Sequence, residues 1–164
     1  MTQRTRILLA VAILAVIALA VLGIDQWQRS RQTMSEADLL PGSVPIYLNG
    51  RLLAGFQPTD LEQLSKVSFV DAEDSKTQDG WLLRDVILLH VQRARLKGDY
   101  VITVTSSSRN KSVQVTWAEA DDPANWVMFD LSGRGTLKLV STLERLDTRD
   151  EWVQDVDKIE VATP

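Results

Sequence analysis

Apolar and polar positions are distributed in three regimes along this chain. Residues 7–24, ILLAVAILAVIALAVLGI, form 18 positions without a charge or a strongly polar group. As a helix at about 1.5 Å per residue, this run reaches roughly 27 Å, the thickness of a bilayer core. Residues 25–43, DQWQRSRQTMSEADLLPGS, are mostly polar and end in Pro-Gly, which predicts a stalk or linker. From Val44 onward the apolar residues become periodic, and a folded domain is predicted over residues 44–164.

Within that domain the period alternates between two and about 3.6. VPIYLNGRLLAGF alternates around Asn49-Gly50, a dipeptide suited to the positive φ angles of a tight hairpin. TDLEQL predicts a short helix with Thr59 as N-cap and Glu62 completing a capping box. KVSFVDA reads as a short strand and DSKTQDG as a polar loop. The stretch WLLRDVILLHVQRARL, Trp81 to Leu96, predicts the main helix. Leu83, Val86, Ile87, His90 and Ala94 recur on one buried face, and Lys97-Gly98 supplies the stop.

Strands then dominate. YVITVTS and VQVTW flank the turn SSRNK, and WAEADDPAN holds a helical turn and a loop. WVMFDL and TLKLVST flank SGRG, and VQDVDKIEV closes as a last strand. One main helix amid several strands predicts an α+β class with a small mixed sheet.

Charge sharpens the membrane reading. Residues 1–31 carry four Arg and one Asp. Residues 32–164 carry 14 Lys and Arg against 21 Asp and Glu, a net −7. That sign repels phosphate backbones and disfavours nucleic acid as a partner. Trp27, Arg29 and Arg31 follow the apolar run where membrane-interface residues belong. Ala18-Leu19-Ala20 fits the rule for a cleaved signal peptide. The run continues to Ile24, longer than a signal core, which favours an uncleaved single-pass anchor. Residues 1–6 are then a basic cytoplasmic tail. The domain lies beyond the inner or cytoplasmic membrane, in a periplasm or extracellular space. The alanines of the run spread around the helix and form no GxxxG, so they define no packing face.

The chain has no cysteine, which removes disulfides, thiolate zinc sites and cysteine nucleophiles. His90 is the single histidine and has no second imidazole to share a metal. It reads as a core residue near a helix C-terminus. Asp71, Glu73, Asp74 and Asp79 gather in one loop, but EF-hand spacing is absent and Lys76 sits among them. TSSSRNK lacks a nucleophile elbow, and SGRGT lacks the Gly-Lys-Ser/Thr ending of a phosphate loop. No cluster fixes a reaction, so no catalytic, cofactor-binding or metal residue is assigned. Trp81, Trp117, Trp126 and Trp152 are numerous for so small a domain. Trp117 falls on an apolar face. Trp126 and Trp152 follow polar loops, which makes them candidate partner-facing residues.

The order of elements resembles the molybdopterin-binding domain of the sulfite-oxidase family. QDGWLLRDVILL is similar to the family's W-x-G-V-P-L-x-D-L-L opening. YVITVTSSSRNKSVQVTWAEA matches a strand pair with a polar turn, LSGRGTLKLVST a D-G-x-P-L-R-L-V-x-P segment, and WVQDVDKIEV a V-K-x-L-x-x-I-x-V ending. The similarity runs from about Thr59 to Val161. The family's molybdenum-ligating cysteine falls near Phe69, Val70, Asp71 and Ala72, and this chain offers no thiolate there. The prolines of the P-L and L-V-x-P positions are also replaced. The resemblance therefore implies the fold without the cofactor.

The resulting expectation is a non-catalytic, single-pass accessory subunit that binds no cofactor. Its domain would dock on protein subunits of a larger membrane complex, respiratory or photosynthetic, and residues 7–24 would meet the lipid bilayer. The alternatives are a redox subunit that holds a molybdopterin-type cofactor with a partner's help, and a ligand-sensing module.

Overall fold

A computed structural model describes residues 34–164. The predicted anchor, its flanking Trp27, Arg29 and Arg31, and residues 25–33 of the predicted stalk lie outside the described residues. Among the described residues no helix is long and apolar enough to cross a membrane.

The domain is α+β, but with two five-stranded sheets where one was expected. The first element among the described residues is a 3-10 turn, Glu36–Asp38, that Ser35 caps. Residues 34–43 belong to the same unit as the domain. Leu39 packs against Gly55, where a Cβ would come within 2.8 Å of its side chain. Gln57 donates from Nε2 to the Pro41 carbonyl at 3.0 Å. The Tyr47 hydroxyl donates to the Glu36 carboxylate. That bond, burial and the charges of Glu36 and Glu160 push the phenol up to about 12.

Strands β1 (Val44–Leu48) and β2 (Arg51–Phe56) form the expected hairpin. Asn49 and Gly50 take φ of 51° and 73°, as a two-residue primed turn requires. A 3-10 turn over Pro58–Gln63 follows. Its cap differs from expectation. Gln57 precedes the turn, Asp60 accepts from the Gln57 N–H at 2.7 Å, and Thr59 lies inside. Pro58 decides this, because its fixed φ suits the first helical position.

Strand β3 (Val67–Val70) pairs with β4 (Thr77–Leu82). The predicted polar loop DSKTQDG thus becomes a strand from Thr77, and so does the start of the predicted main helix. The helix itself, α1, covers only Leu83–Leu88. A 3-10 turn at Arg93–Arg95 follows. Val91 and Leu96 are both buried. A continuous helix would separate residues five apart by about 140° around its axis. An extended Gln92 instead brings both to the core.

Strands β5 (Val101–Ser106) and β6 (Lys111–Thr116) pair in full register. Helix α2 (Trp117–Asp121) starts with a capping box. Thr116 Oγ1 accepts from the Glu119 N–H at 3.2 Å, and Glu119 accepts from the Thr116 N–H at 2.8 Å. Arg145 lies 2.7 Å from Glu119 and, with the Thr116 bonds, lowers the Glu119 carboxyl to about 2. Because the folded-state value is depressed, this contribution is present above the unfolded value and is lost as pH falls toward 2. Thr116→Ala is expected to cost about 1 kcal/mol, or a thermal midpoint lower by about 3–6 °C, measurable by calorimetry at pH 7. An unchanged midpoint would show that the box contributes nothing.

Strands β7 (Met128–Leu131) and β8 (Leu137–Val140) form the second expected hairpin. The predicted last strand splits in two: β9 (Val153–Gln154) and β10 (Lys158–Ala162). Asp155, at φ 56°, makes the break, a conformation Asp tolerates better than most residues.

The first sheet has the order β2-β1-β10-β5-β6 and the second β3-β4-β7-β8-β9. Only the β1–β10 pair is parallel. Ile46, Ile102 and Ile159 of the first sheet share one core cluster with Trp81, Phe129 and Leu139 of the second. Helices α1 and α2 enter it through Val86, Ile87, Trp117 and Ala120. The other face of the second sheet carries a smaller cluster of Leu82, Met128, Val140 and Trp152, with Val67 and Phe69 against it.

Candidate functional site

The chemistry-bearing residues of the sequence do not converge. His90 is exposed, not buried as the apolar stripe predicts, because the helix stops two residues before it. Its ring stacks on Phe56 at 6.3 Å between centroids. Loss of solvent lowers its pKa, against an opposing pull from Asp60. Among the described residues no three of His, Cys, Asp and Glu gather as a metal-holding set. SGRGT is a turn in which Ser132 and Thr136 hydroxyls lie 2.6 Å apart. Ser107 and Arg109 of TSSSRNK are tied to Asp157 and Asp155.

The acidic loop is a structural knot. Asp71 is 2% exposed, and its Oδ1 accepts from the Asp74 N–H at 2.6 Å. Its Oδ2 accepts from Gln78 Nε2 at 2.8 Å. The Asp74 bond, aided by Gln78 and nearby Arg149 and Lys76, holds its carboxyl below the usual range. Both oxygens are therefore committed to hydrogen bonds. A hard, fully bonded carboxylate does not fit a molybdenum ligand. From Gln78 the network continues to Lys138 Nζ, 2.8 Å from Gln78 Oε1 and 2.9 Å from Asp130. Asp74 pairs with Arg149 at 2.7 Å.

Of the two candidate partner-facing tryptophans, Trp152 lies in the smaller core cluster. It is 4% exposed, its Nε1–H donates to the Leu146 carbonyl at 2.9 Å, and Lys138 covers its ring. The polar loop before it folds over it and hides it. Trp126 is half-buried and lies 6.1 Å from the Phe69 ring. It sits at φ 45°, a left-handed conformation that costs a bulky residue of order 1–3 kcal/mol.

The Phe69–Trp126 pair flanks the feature that the sequence does not reveal. Strand β3 is the outer strand of its sheet, and Val-Ser-Phe-Val carries no charge, proline or bulge. The Asp71 N–H donates to the Lys76 carbonyl at 2.9 Å. By antiparallel alternation, Val67 and Phe69 then bond toward β4, and the backbone groups of Ser68 and Val70 point away from the sheet. Val70 is 63% exposed, and Leu131, on the same face of the sheet, is 40% exposed. Asp79 stands opposite Ser68 on that face. It is exposed, and no hydrogen bond or ion pair engages its carboxylate among the described residues. The strand KVSFVDA is legible in the sequence, but its place at an edge is not, because edges are set by which strands pair elsewhere.

No family model matches the chain, and no curated protein matches it.

Proposed function

We propose that this chain is a membrane-tethered, non-catalytic accessory protein whose extracytoplasmic domain docks on another protein through the β3 edge. The observation that carries this reading is the unprotected edge itself. Folded domains normally blunt such edges with Lys, Pro, bulges or covering loops, because outward N–H and C=O groups recruit other strands. Here the edge is uncharged, with Val70 on one face and the Phe69–Trp126 pair on the other. A partner strand added to β3 would satisfy the outward backbone groups and cover both apolar surfaces. The 18-residue apolar run of the sequence supports the tether, and the basic tail supports a cytoplasmic N-terminus.

A photo-crosslinking residue placed at Ser68 of the full chain, in its native membrane, tests the reading. A discrete protein adduct is expected from position 68, and none from position 97 on the Lys97-Gly98 turn. Adducts of equal yield from both positions, or from neither, would count against docking at this edge.

A further inference from the structure

The free edge also specifies the chemistry of what binds it, an inference that rests on the docking reading above. We infer that the occupant is an extended segment of a different protein, with an arginine or lysine and an apolar residue at positions two apart on one face. Three observations point this way. First, the outward groups of Ser68 and Val70 alternate with those bonded to β4, so the edge takes a strand and not a helix. Second, the face beside the edge has two distinct stations. Ser68 is small and lies next to Asp79, whose carboxylate is exposed and unengaged. Val70 is two residues further and apolar. An added strand lies about 5 Å from β3 and about 10 Å from β4. A long cationic side chain can cross over Ser68 to meet Asp79, which a shorter chain cannot. An apolar side chain two positions away then meets Val70, because alternate residues share a face.

Third, the net charge of the domain is negative. Residues 32–164 carry −7. Asp74 is already paired with Lys76 and Arg149, and Lys66 lies over the Trp81 ring, which leaves Asp79 as the unengaged carboxylate beside the edge. A cationic segment is steered toward the domain, and an acidic one is repelled. The same charge argues against a second copy of this chain, which would bring a further −7 to the contact.

The test uses the full chain in mild detergent and three capped decapeptides that alternate valine with threonine. One central valine is replaced by arginine, by glutamate or by norleucine, so that the flanking valines share its face. Binding is followed by calorimetry, and amide exchange at Ser68 and Val70 reports where the peptide lies. The arginine peptide is expected to bind at least about tenfold more tightly than the glutamate peptide, with an advantage that shrinks as salt rises. It should slow exchange at both amides. Asp79→Asn should abolish the preference while leaving norleucine binding unchanged. Ser68→Pro, which removes an outward N–H and leaves the β3–β4 bonds intact, should abolish binding of all three.

Equal binding of the three peptides, with slowed exchange at Ser68 and Val70, would overturn the cationic specificity and leave edge docking standing. Binding that Ser68→Pro does not change would overturn both. A dimer of the unliganded chain by light scattering, dissolved by Ser68→Pro, would assign the edge to a second copy and overturn the inference.

Discussion

Gly80→Ala is expected to unfold the domain or to leave it insoluble. Gly80 sits in β4 between Val67 of β3 and Asp130 of β7. A Cβ placed there would lie 1.7 Å from the Phe129 carbonyl oxygen and 2.6 Å from its carbon. Both atoms are backbone, so no rotamer change can relieve the clash. Relief requires β4 and β7 to part, in the middle of the second sheet. Overpacking a core with a flexible neighbour costs about 1–3 kcal/mol, and this contact should exceed that range. For a domain of this size, the thermal midpoint should fall by at least about 10 °C. Gly133→Ala is the control. No atom lies within 4 Å of a Cβ there and its φ is ordinary, so its midpoint should barely move. If both variants melt alongside the parent, β4 and β7 do not approach as described.

Lys138→Met should be the second costly change. The ammonium lies 2.9 Å from Asp130 and 2.8 Å from Gln78 Oε1, above the Trp152 ring at 5.1 Å. The Lys138 and Asp130 side chains are 17% and 16% exposed. Methionine fills a similar volume but leaves Asp130 without its counter-ion and Gln78 without a donor. Stranding one member of such a pair costs about 3 kcal/mol. The double variant Lys138→Met, Asp130→Leu removes both charges and extends the Met128–Val140 cluster, so it should recover most of that loss. Urea denaturation of the two single variants and the double closes the cycle. A double variant as unstable as Lys138→Met alone would show that packing, not charge, sets the cost.

Elements governed by neighbours in sequence are legible from the order of residues alone. Asn49-Gly50 announces its hairpin because the turn needs positive φ at adjacent positions, and the alternation of YVITVTS and VQVTW announces β5 and β6. The pattern misleads where distant residues decide. Thr77–Gly80 looks like a polar loop, yet Gln78 is buried there because Asp71 and Lys138 meet its amide. Trp81 and Leu82 look helical, yet Phe129 and Met128 claim them as strand partners. VQDVDKIEV has one strand's pattern, yet Val153 pairs with Leu139 and Ile159 with Val104, in different sheets. The site shows the same division. The acidic residues and Trp126 stand out in the sequence, whereas the open side of Val67–Val70 is defined only by the closing of both sheets. The burial of Trp152 is not legible either, because nothing in its flanking loop shows that the Leu146 carbonyl turns back to meet its indole.

The position of β10 has a consequence for how the molecule is made. It lies between β1 and β5, yet it is the last strand in the sequence. Until it arrives, the hairpin near residue 50 and the hairpin near residue 108 have no common neighbour, and the first sheet exists only as two fragments. The two hairpins can each form locally, but the first sheet closes only through the long-range pairing of β10 with both β1 and β5.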